Sequence, residues 1–347
     1  MRVAFFPYGT AQENPYQQLL IEGLAANGVE VDKIPGRKFF PLLPVIRSKA
    51  DVIHIFWPHD LYIGRNILTA ILKAIMLRLS LPLLRNKILV YSAENVAGHM
   101  HGTDYAVNEL RWIQRILDRC RGIIFMNPVA PDIFKAYYQR LPEQSLIIPH
   151  VHFCSVYPDT ISSAEARKEL QLPTDATVFL VLGRIAPYKG IEETIQAFMQ
   201  LPHPEARLII AGRSTDTGYL QQLRQFANQD TRIQLHDRFI HNNEVQVYFN
   251  AANASIFNYQ DIPLNPGSVI MAKGFGVRII APMTPTLQAL DQGDCILYPS
   301  GQMLTALRQI ANTRPLPAKA NIAKHLALHA PEKVGAQLTS FYKQLKA

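Results

Sequence analysis

Short apolar, β-branched runs alternate along this chain with longer stretches that have helical spacing, and this alternation limits the folds it can adopt. Parallel strands need long crossovers, usually helices, so the pattern predicts an α/β fold with parallel sheets covered by helices on both faces. The runs form two series of six, which predicts two Rossmann-like domains in tandem. The predicted strands are Val3–Phe6, Val29–Ile34, Val52–Phe56, Ile88–Ser92, Gly122–Met126, Leu146–Ile148, Val178–Leu182, Arg207–Ala211, Arg232–Leu235, Ser255–Asn258, Arg278–Ala281 and Ile296–Tyr298.

An irregular stretch, Pro149–Pro158, separates the two series. We therefore predict an N-terminal domain over residues 1–152 and a C-terminal domain over residues 153–330. Ser162 and Glu165 have the spacing of a capping box, which predicts a helix start just beyond this seam. A last helix is predicted over residues 331–347, because it begins with a proline and proline suits the first turn of a helix.

Composition places the chain among soluble globular proteins, with 48% apolar and 18% charged residues over 347 positions. The three cysteines, Cys120, Cys154 and Cys295, have no CxxC spacing. We therefore expect neither a disulfide framework nor a thiolate metal site, and a reducing compartment fits best. Met1–Phe6 enters a strand pattern directly with no signal peptide ahead of it, so we expect a cytoplasmic protein.

The net charge of +8 predicts an anionic partner, such as a nucleotide, a nucleic acid or an anionic lipid. No basic run is interleaved with aromatic residues, so a nucleic acid is not expected. Residues 61–87 are apolar and basic and contain no acidic residue. Lys73, Arg78 and Pro82 argue against a membrane span. Either this helix lies on the anionic inner face of the cell membrane, or it faces the core with its cations reaching solvent.

The stretch Val178–Phe198 predicts a site for a diphosphate. A strand ends at a Gly183–Arg184 turn, Lys189 follows, and Gly190 opens an amphipathic helix. Free backbone N–H groups and the helix dipole favour an anion at such a start. Arg supplies fixed donors and Lys a mobile point charge. The alternative is an ordinary strand–helix junction with two solvated cations.

A second anion cradle is predicted where a polar loop leads through Asn265, Pro266, Gly267 and Ser268 into a helix. The alternative is a capped helix behind a proline-rich loop. Two cradles in one domain favour the anion site.

Polar residues also follow the strands of the first half. Asp60, Glu94 and His101 are candidates for a general base, because ligands bind at the carboxyl ends of strands in doubly wound sheets. Equally, they can be hydrogen-bonding loop residues. The turn at Gly9 and Thr10 has one glycine and does not match GxGxxG.

The motifs GRIAPYKGIEETIQAF, RLIIAG, RFIHNNEVQVYFNAANASIFNYQDIPLNPGS and FGVRIIAP, preceded by NPYQQLL, DVIHIFWP, VYSAENVAGH and LIIPH, stand in a characteristic order. In order and spacing they resemble nucleotide-sugar glycosyltransferases of the GT-B fold, in particular the bacterial family 4 group and its polysaccharide-assembly relatives. The resemblance implies two Rossmann-like domains facing a central cleft, with the C-terminal helix crossing back to the first domain.

The resemblance further implies transfer of a sugar from a UDP- or GDP-linked donor to a saccharide acceptor. We expect this acceptor to be lipid-linked, in bacterial polysaccharide or envelope glycan synthesis. No DxD motif occurs, so we expect no metal and no cofactor; Arg, Lys and helix N-termini would stabilise the departing diphosphate.

The resemblance also implies roles for individual residues. It assigns the donor diphosphate to Gly183, Arg184, Lys189, Asn265, Gly267 and Ser268, the nucleobase and sugar to Arg238, Phe239, Tyr259 and Asp261, and a turn facing the reaction centre to Gly9 and Thr10.

The chain departs from the family pattern at two places. Pro263 and Met271 stand where relatives have a pair of donor-loop glutamates, and Glu94 stands where many have a histidine that touches the sugar. Retaining enzymes use one of those glutamates to orient the sugar, so retention and inversion both stay open. An inverting reaction would need Glu94 or Asp60 as its base. The rival functions are a nucleotide-sugar epimerase of the same fold and a non-catalytic nucleotide-sugar-binding homologue.

Overall fold

The computed structural model describes residues 1–9, 15–36, 42–96, 106, 108–259, 264–313 and 322–347. Every predicted strand is present, with some ends shifted. The strands are β1 (Arg2–Tyr8), β2 (Glu30–Pro35), β3 (Val52–Ile55), β4 (Ile88–Ser92), β5 (Gly122–Phe125), β6 (Gln144–Ile147), β7 (Thr177–Leu182), β8 (Ala206–Gly212), β9 (Ile233–Asp237), β10 (Ala254–Ile256), β11 (Arg278–Pro282) and β12 (Cys295–Tyr298). The helices are α1 (Tyr16–Ala26), α2 (Leu43–Arg47), α3 (Ile67–Ser80), α4 (Glu109–Leu117), α5 (Ala130–Tyr137), α6 (Ser163–Glu169), α7 (Ile191–Met199), α8 (Thr217–Ala227), α9 (Val245–Ala251), α10 (Gly267–Gly274), α11 (Pro285–Leu290), α12 (Met303–Ala311), α13 (Ile322–Leu328) and α14 (Pro331–Lys346).

The strands form two six-stranded sheets, in the orders β2-β1-β3-β4-β5-β6 and β12-β11-β10-β7-β8-β9. All described strand pairs are parallel. The predicted α/β class is therefore confirmed. In each sheet the chain first moves to one side and then to the other, which puts a topological switch point beside the first strand of the series: β1/β3 in one sheet and β7/β10 in the other.

The chain divides into two compact units. Unit 1 comprises residues 1–151 and 328–347, and unit 2 comprises residues 152–327. The capping box near the start of unit 2 is confirmed, since the Ser162 hydroxyl accepts from the Glu165 amide and the Glu165 carboxylate accepts from the Ser162 amide. This reciprocal pairing satisfies donors that a helix start leaves open, and so fixes the beginning of α6.

Both faces of the second sheet are buried. Successive residues of β7 point to opposite faces, so Val178 and Leu180 join one apolar cluster while Phe179 and Val181 join the other. Parallel strands that are covered on both sides have this continuous apolar character. Polar groups at the carboxyl ends of these strands therefore lie beyond the core, where a ligand can reach them.

The last helix, α14, begins at Pro331 as predicted and packs on α1 within unit 1. The two helices touch backbone to backbone, because a Cβ on Gly335 would lie 2.1 Å from the carbonyl oxygen of Gly23. The Asn27 side-chain amide also donates to the carbonyl of Glu332 at 2.9 Å. Glycine at the crossing is thus what lets α14 dock.

Candidate functional site

The strongest candidate ligand site of unit 2 lies at the β7/β10 switch point. The loop containing Gly183 leaves the carboxyl end of β7, and Asn258 follows β10, the neighbouring strand. Ligands of doubly wound sheets bind in the crevice outside such a switch point. The predicted glycine loop therefore occupies the position where the topology favours a ligand.

The glycine loop depends on backbone conformations that disfavour side chains. Gly183 has φ +110° and Gly190 has φ +58°. A Cβ on Gly190 would lie 2.4 Å from the carbonyl oxygen of Asn258, and one on Gly183 would lie 2.8 Å from the Lys189 Nζ. Glycine thus lets this loop turn tightly and lets the lysine ammonium approach the backbone at Gly183.

Asn258 fixes the far end of the loop, a role that was not predicted. Its buried side-chain amide donates to the Gly190 carbonyl and to the Glu193 carboxylate, both at 3.0 Å, and its oxygen accepts from the Tyr298 hydroxyl at 2.8 Å. A polar residue directly after a buried strand was the available signal. Asn258 therefore secures the loop without needing a ligand.

Lys189 is a partly buried cation that lies close to a second cation, Arg184. Its Nζ donates to the Leu182 carbonyl at 3.3 Å and lies 6.0 Å from the centre of the Tyr259 ring. Desolvation, assisted by the nearby Arg184 guanidinium, lowers the pKa of the half-buried Lys189 to about 8. Among the residues that the structure describes, no carboxylate pairs with either cation. Two adjacent cations without a counter-ion form a site that an anion would stabilise.

Tyr259 connects the glycine loop with the second predicted cradle. Its ring is nearly parallel to that of Tyr188, with centroids 6.3 Å apart, and its hydroxyl is hydrogen-bonded to the Ser268 hydroxyl. The amide of Gly267 donates to the carbonyl of Asn265 at 2.9 Å. The structure therefore brings both cradles together, but the Gly267 amide and the Ser268 hydroxyl already have partners within the chain.

Of the two predicted nucleobase residues on this loop, Arg238 is paired with a carboxylate and Phe239 is exposed. The Arg238 guanidinium is held by the Glu244 carboxylate, with N–O distances of 2.7 and 2.9 Å, and by the Tyr248 hydroxyl at 3.3 Å. The Phe239 side chain is 55% exposed, with the edge of its ring against His241. Phe239 is thus the residue of the pair that presents exposed apolar surface, whereas Arg238 is held by contacts within its own loop and helix. The predicted Asp261 lies outside the described residues.

Unit 1 has a polar turn at the carboxyl end of β1. The Gly9 amide donates to the side-chain oxygen of Gln17 at 2.8 Å, and the Gln17 side-chain nitrogen donates to the Pro7 carbonyl at 2.9 Å. Gln17 is buried, so α1 holds this turn with a shielded amide side chain. Thr10, the other predicted residue of the turn, lies outside the described residues.

Glu94 lies beyond β4 and is the best-defined candidate base. The Trp57 side chain lies near its carboxyl group. Its Oε1 atom is shielded from solvent and has no hydrogen-bond partner among the described residues. Burial raises the pKa of Glu94 well above its usual value, while the nearby Trp57 side chain opposes this effect. His101 and the side chain of Asp60, the other predicted bases, lie outside what the structure describes.

A second polar group at this edge was not predicted. The His59 Nδ1 is hydrogen-bonded to the Tyr62 hydroxyl at 2.7 Å, and the same hydroxyl donates to the Glu109 carboxylate at 3.1 Å. Glu109 belongs to α4, far from His59 in sequence, so no local pattern could have joined them. Because His59, Tyr62 and Glu109 pair with one another, they stabilise this edge of the sheet.

Unit 1 also carries an apolar surface on α3. Ala70, Ala74 and Leu77 face inward, whereas Leu68 and Leu79 are 73% and 68% exposed. The alternative in which this helix faces the core with its large apolar residues is therefore wrong, because small alanines form most of the packed face. The stretch Ile67–Leu84 is the one described segment long and apolar enough to cross a membrane, with mean hydropathy 1.9, a criterion that many helices of soluble proteins also meet.

Comparison with known proteins agrees with this architecture. Residues 162–284 match the profile of the family described as glycosyl transferases group 1. A GDP-mannose:glycolipid 4-beta-D-mannosyltransferase of Xanthomonas campestris pv. campestris is 24% identical over 283 residues, which cover 81% of this chain and 73% of that protein. A lipopolysaccharide 1,2-N-acetylglucosaminetransferase of Salmonella typhimurium (strain LT2) is 36% identical over 87 residues, 24% of this chain and 23% of that one.

Solved structures share the fold over the whole chain. Sucrose-phosphate synthase from Thermosynechococcus elongatus superposes with a TM-score of 0.72 at 20% sequence identity, covering 100% of this chain and 99% of that one. At this identity the likeness concerns the fold alone. The profile match, by contrast, includes both the glycine loop and the start of α10.

Proposed function

Because the chain is a glycosyltransferase of the GT-B fold with a group 1 domain, we propose that it transfers mannose from GDP-mannose to a membrane glycolipid. The observation that carries the donor half is the pair of cations, Arg184 and Lys189, without a described counter-ion at the β7/β10 switch point. A diphosphate supplies the missing negative charge. The donor and acceptor classes follow from the name of the mannosyltransferase relative, which matches along 81% of the chain.

Unit 2 would stabilise the leaving group. When the bond between the sugar and the diphosphate breaks, the departing GDP takes the electron pair and gains charge. Lys189 and Arg184 would neutralise this charge, and preorganised contacts of this kind typically contribute about 3–4 kcal/mol each in the transition state. Phe239 would offer an exposed apolar face to the guanine base.

Unit 1 would bind the acceptor and activate its hydroxyl group. The relative's name specifies a β product, and a β product from an α-linked donor requires inversion. Inversion needs a base that removes the acceptor proton while the new sugar–oxygen bond forms. Glu94 is suited to this because its Oε1 has no described partner and its raised pKa makes its ionised form a stronger base.

The α3 face would hold unit 1 at an anionic membrane surface, at the inner face of the cell membrane. Its exposed apolar side chains stand beside exposed cations, Arg65, Arg78 and Arg85, and no acidic residue occurs between Asp60 and Glu94. Burial of apolar area and attraction to anionic lipids both favour such a helix at the interface. A glycolipid acceptor would be reached from this position.

A thermal-shift panel tests the donor assignment. GDP and GDP-mannose should raise the melting temperature, since a ligand at a hundred times its dissociation constant stabilises by about 2.7 kcal/mol. UDP and guanosine serve as controls for the base and the diphosphate. Stabilisation by UDP alone, or none by any nucleotide, would refute the GDP assignment. Turnover of the donor without an acceptor would instead identify an epimerase, and binding without transfer would identify a non-catalytic homologue.

A further inference from the structure

A buried histidine lies among the apolar residues of β3. His54 is fully shielded from solvent, and its ring stacks on that of Phe56 with centroids 4.1 Å apart. Its Nδ1 is hydrogen-bonded to the Tyr342 hydroxyl at 2.6 Å, and its Nε2 to the Ser92 hydroxyl at 2.7 Å. Burial lowers the pKa of His54 to about 3, so the ring is neutral at physiological pH. A neutral imidazole has one donor and one acceptor nitrogen, so one hydroxyl donates to the ring and the other accepts from it.

The two hydroxyls belong to elements that are far from His54 in the sequence. Tyr342 lies near the end of α14, and Ser92 is the last residue of β4. His54 is opposite Val90 in the β3–β4 pair, so Ser92, two residues further along, is on the same face of the sheet. Loss of either hydroxyl would leave a buried ring nitrogen without its partner, which is unfavourable. The histidine therefore ties the last helix of unit 1 to the end of β4.

Glu94, the proposed base, follows directly on this anchored strand end. Its amide donates to the Ser92 carbonyl at 3.1 Å, and the Ala93 amide donates to the carbonyl of Ile124 of β5 at 2.8 Å. The backbone of the turn is thus held by the sheet, and the side chain of its first residue is held by His54. A buried polar network whose groups are satisfied favours one arrangement of the elements that it joins.

We propose that Tyr342, acting through His54 and Ser92, is a positioning residue that sets the direction in which Glu94 leaves β4. This inference rests on the proposed role of Glu94 as the base. Tyr342 is fully buried and acts without touching the substrate. The last helix thus contributes to catalysis as well as to the stability of unit 1, because proton transfer and attack require the reacting atoms to approach within about 3–3.5 Å in the correct orientation.

The test is the kcat of Tyr342→Phe, which removes the hydroxyl and keeps the ring in the core. We expect kcat to fall by about 10–100-fold, since a misplacement of about 1 Å can cost about 10²-fold. KM for the donor should change little, because the donor contacts are proposed in unit 2. Ser92→Ala removes the other hydroxyl and should lower kcat to a similar extent; if Tyr342→Phe does not fold, Ser92→Ala decides in its place.

A double-variant cycle shows whether the two hydroxyls act as one network. Both act through the same ring, so Tyr342→Phe combined with Ser92→Ala should have nearly the kcat of either single variant. Losses of kcat that simply multiply in the double variant would mean independent effects and would refute the linked network.

Asn27→Ala is the matched control, because it also removes a contact of α14, the bond from the Asn27 side-chain amide to the Glu332 carbonyl. This variant should lower the melting temperature and leave kcat unchanged. A wild-type kcat in Tyr342→Phe, or an equal loss of kcat in Asn27→Ala, would overturn the positioning role.

Glu94→Gln separates failure of this inference from failure of the proposed function. An active Glu94→Gln enzyme would contradict the base role and the positioning role together. An inactive Glu94→Gln enzyme with wild-type kcat in both Tyr342→Phe and Ser92→Ala would contradict the positioning role alone.

Discussion

The two units each present a desolvated ionisable group beyond the carboxyl end of a parallel sheet, and the two groups have opposite character. In unit 2, burial lowers the pKa of the Lys189 ammonium to about 8. In unit 1, burial raises the pKa of the Glu94 carboxyl. The same physical cause thus acts on a cation in one unit and on a carboxyl group in the other, and we propose that these two groups serve the diphosphate of the donor and the hydroxyl of the acceptor.

In unit 1, Glu94→Gln should cause the largest loss of kcat. The amide keeps the size of the carboxyl but cannot accept the proton, so kcat should fall by about 10²–10⁴. Glu22→Gln, on α1, is the matched control and should keep wild-type kcat. A Glu94→Gln enzyme with normal kcat would assign the base to another residue.

In unit 2, Lys189→Ala should impair both catalysis and GDP binding. Loss of one preorganised contact to the developing charge should lower kcat by about 10²–10³ and weaken GDP binding. Lys168, an exposed lysine near the end of α6, gives the control variant Lys168→Ala. Equal activity of the two variants would remove Lys189 from the diphosphate site.

The two units should also differ in membrane binding, because only unit 1, through the exposed residues of α3, is expected to contact lipid. Leu68→Gln combined with Leu79→Gln should reduce binding to anionic vesicles by roughly tenfold or more, since each leucine loses about 1 kcal/mol or more of apolar burial. Ile147→Gln changes an exposed apolar residue on β6 and should not alter sedimentation with vesicles. Equal binding by the double variant would place the membrane contact elsewhere.

A smaller effect concerns the pH dependence of GDP binding. In the proposed site the ammonium form of Lys189 would bind the diphosphate, and the bound diphosphate would in turn raise the pKa of the lysine. Affinity should therefore be full below pH about 8 and fall above it, by at most about tenfold per pH unit. Lys189→Arg keeps its charge throughout this range and should bind GDP independently of pH. Calorimetric titration from neutral to alkaline pH, through the pKa of Lys189, measures both.

Features that depend on a short stretch of sequence were predicted correctly. The strands followed from apolar β-branched runs, the start of α6 from Ser162 and Glu165, and the loop from its glycines and cations. The Tyr62 hydroxyl joins His59 to Glu109 of α4, which is distant in sequence, so this pairing could not be predicted from either segment alone. The same holds for Asn258, whose contact with Gly190 spans the β7/β10 switch point.

Incubation of the protein with GDP-mannose and a membrane glycolipid fraction, followed by determination of the anomeric configuration of the product by NMR, tests the proposed reaction most directly. We expect a β-linked mannosyl glycolipid, formed at rates that fall in Glu94→Gln and in Lys189→Ala. An α-linked product would contradict the inverting mechanism, and no mannosylated lipid at all would contradict the proposed function.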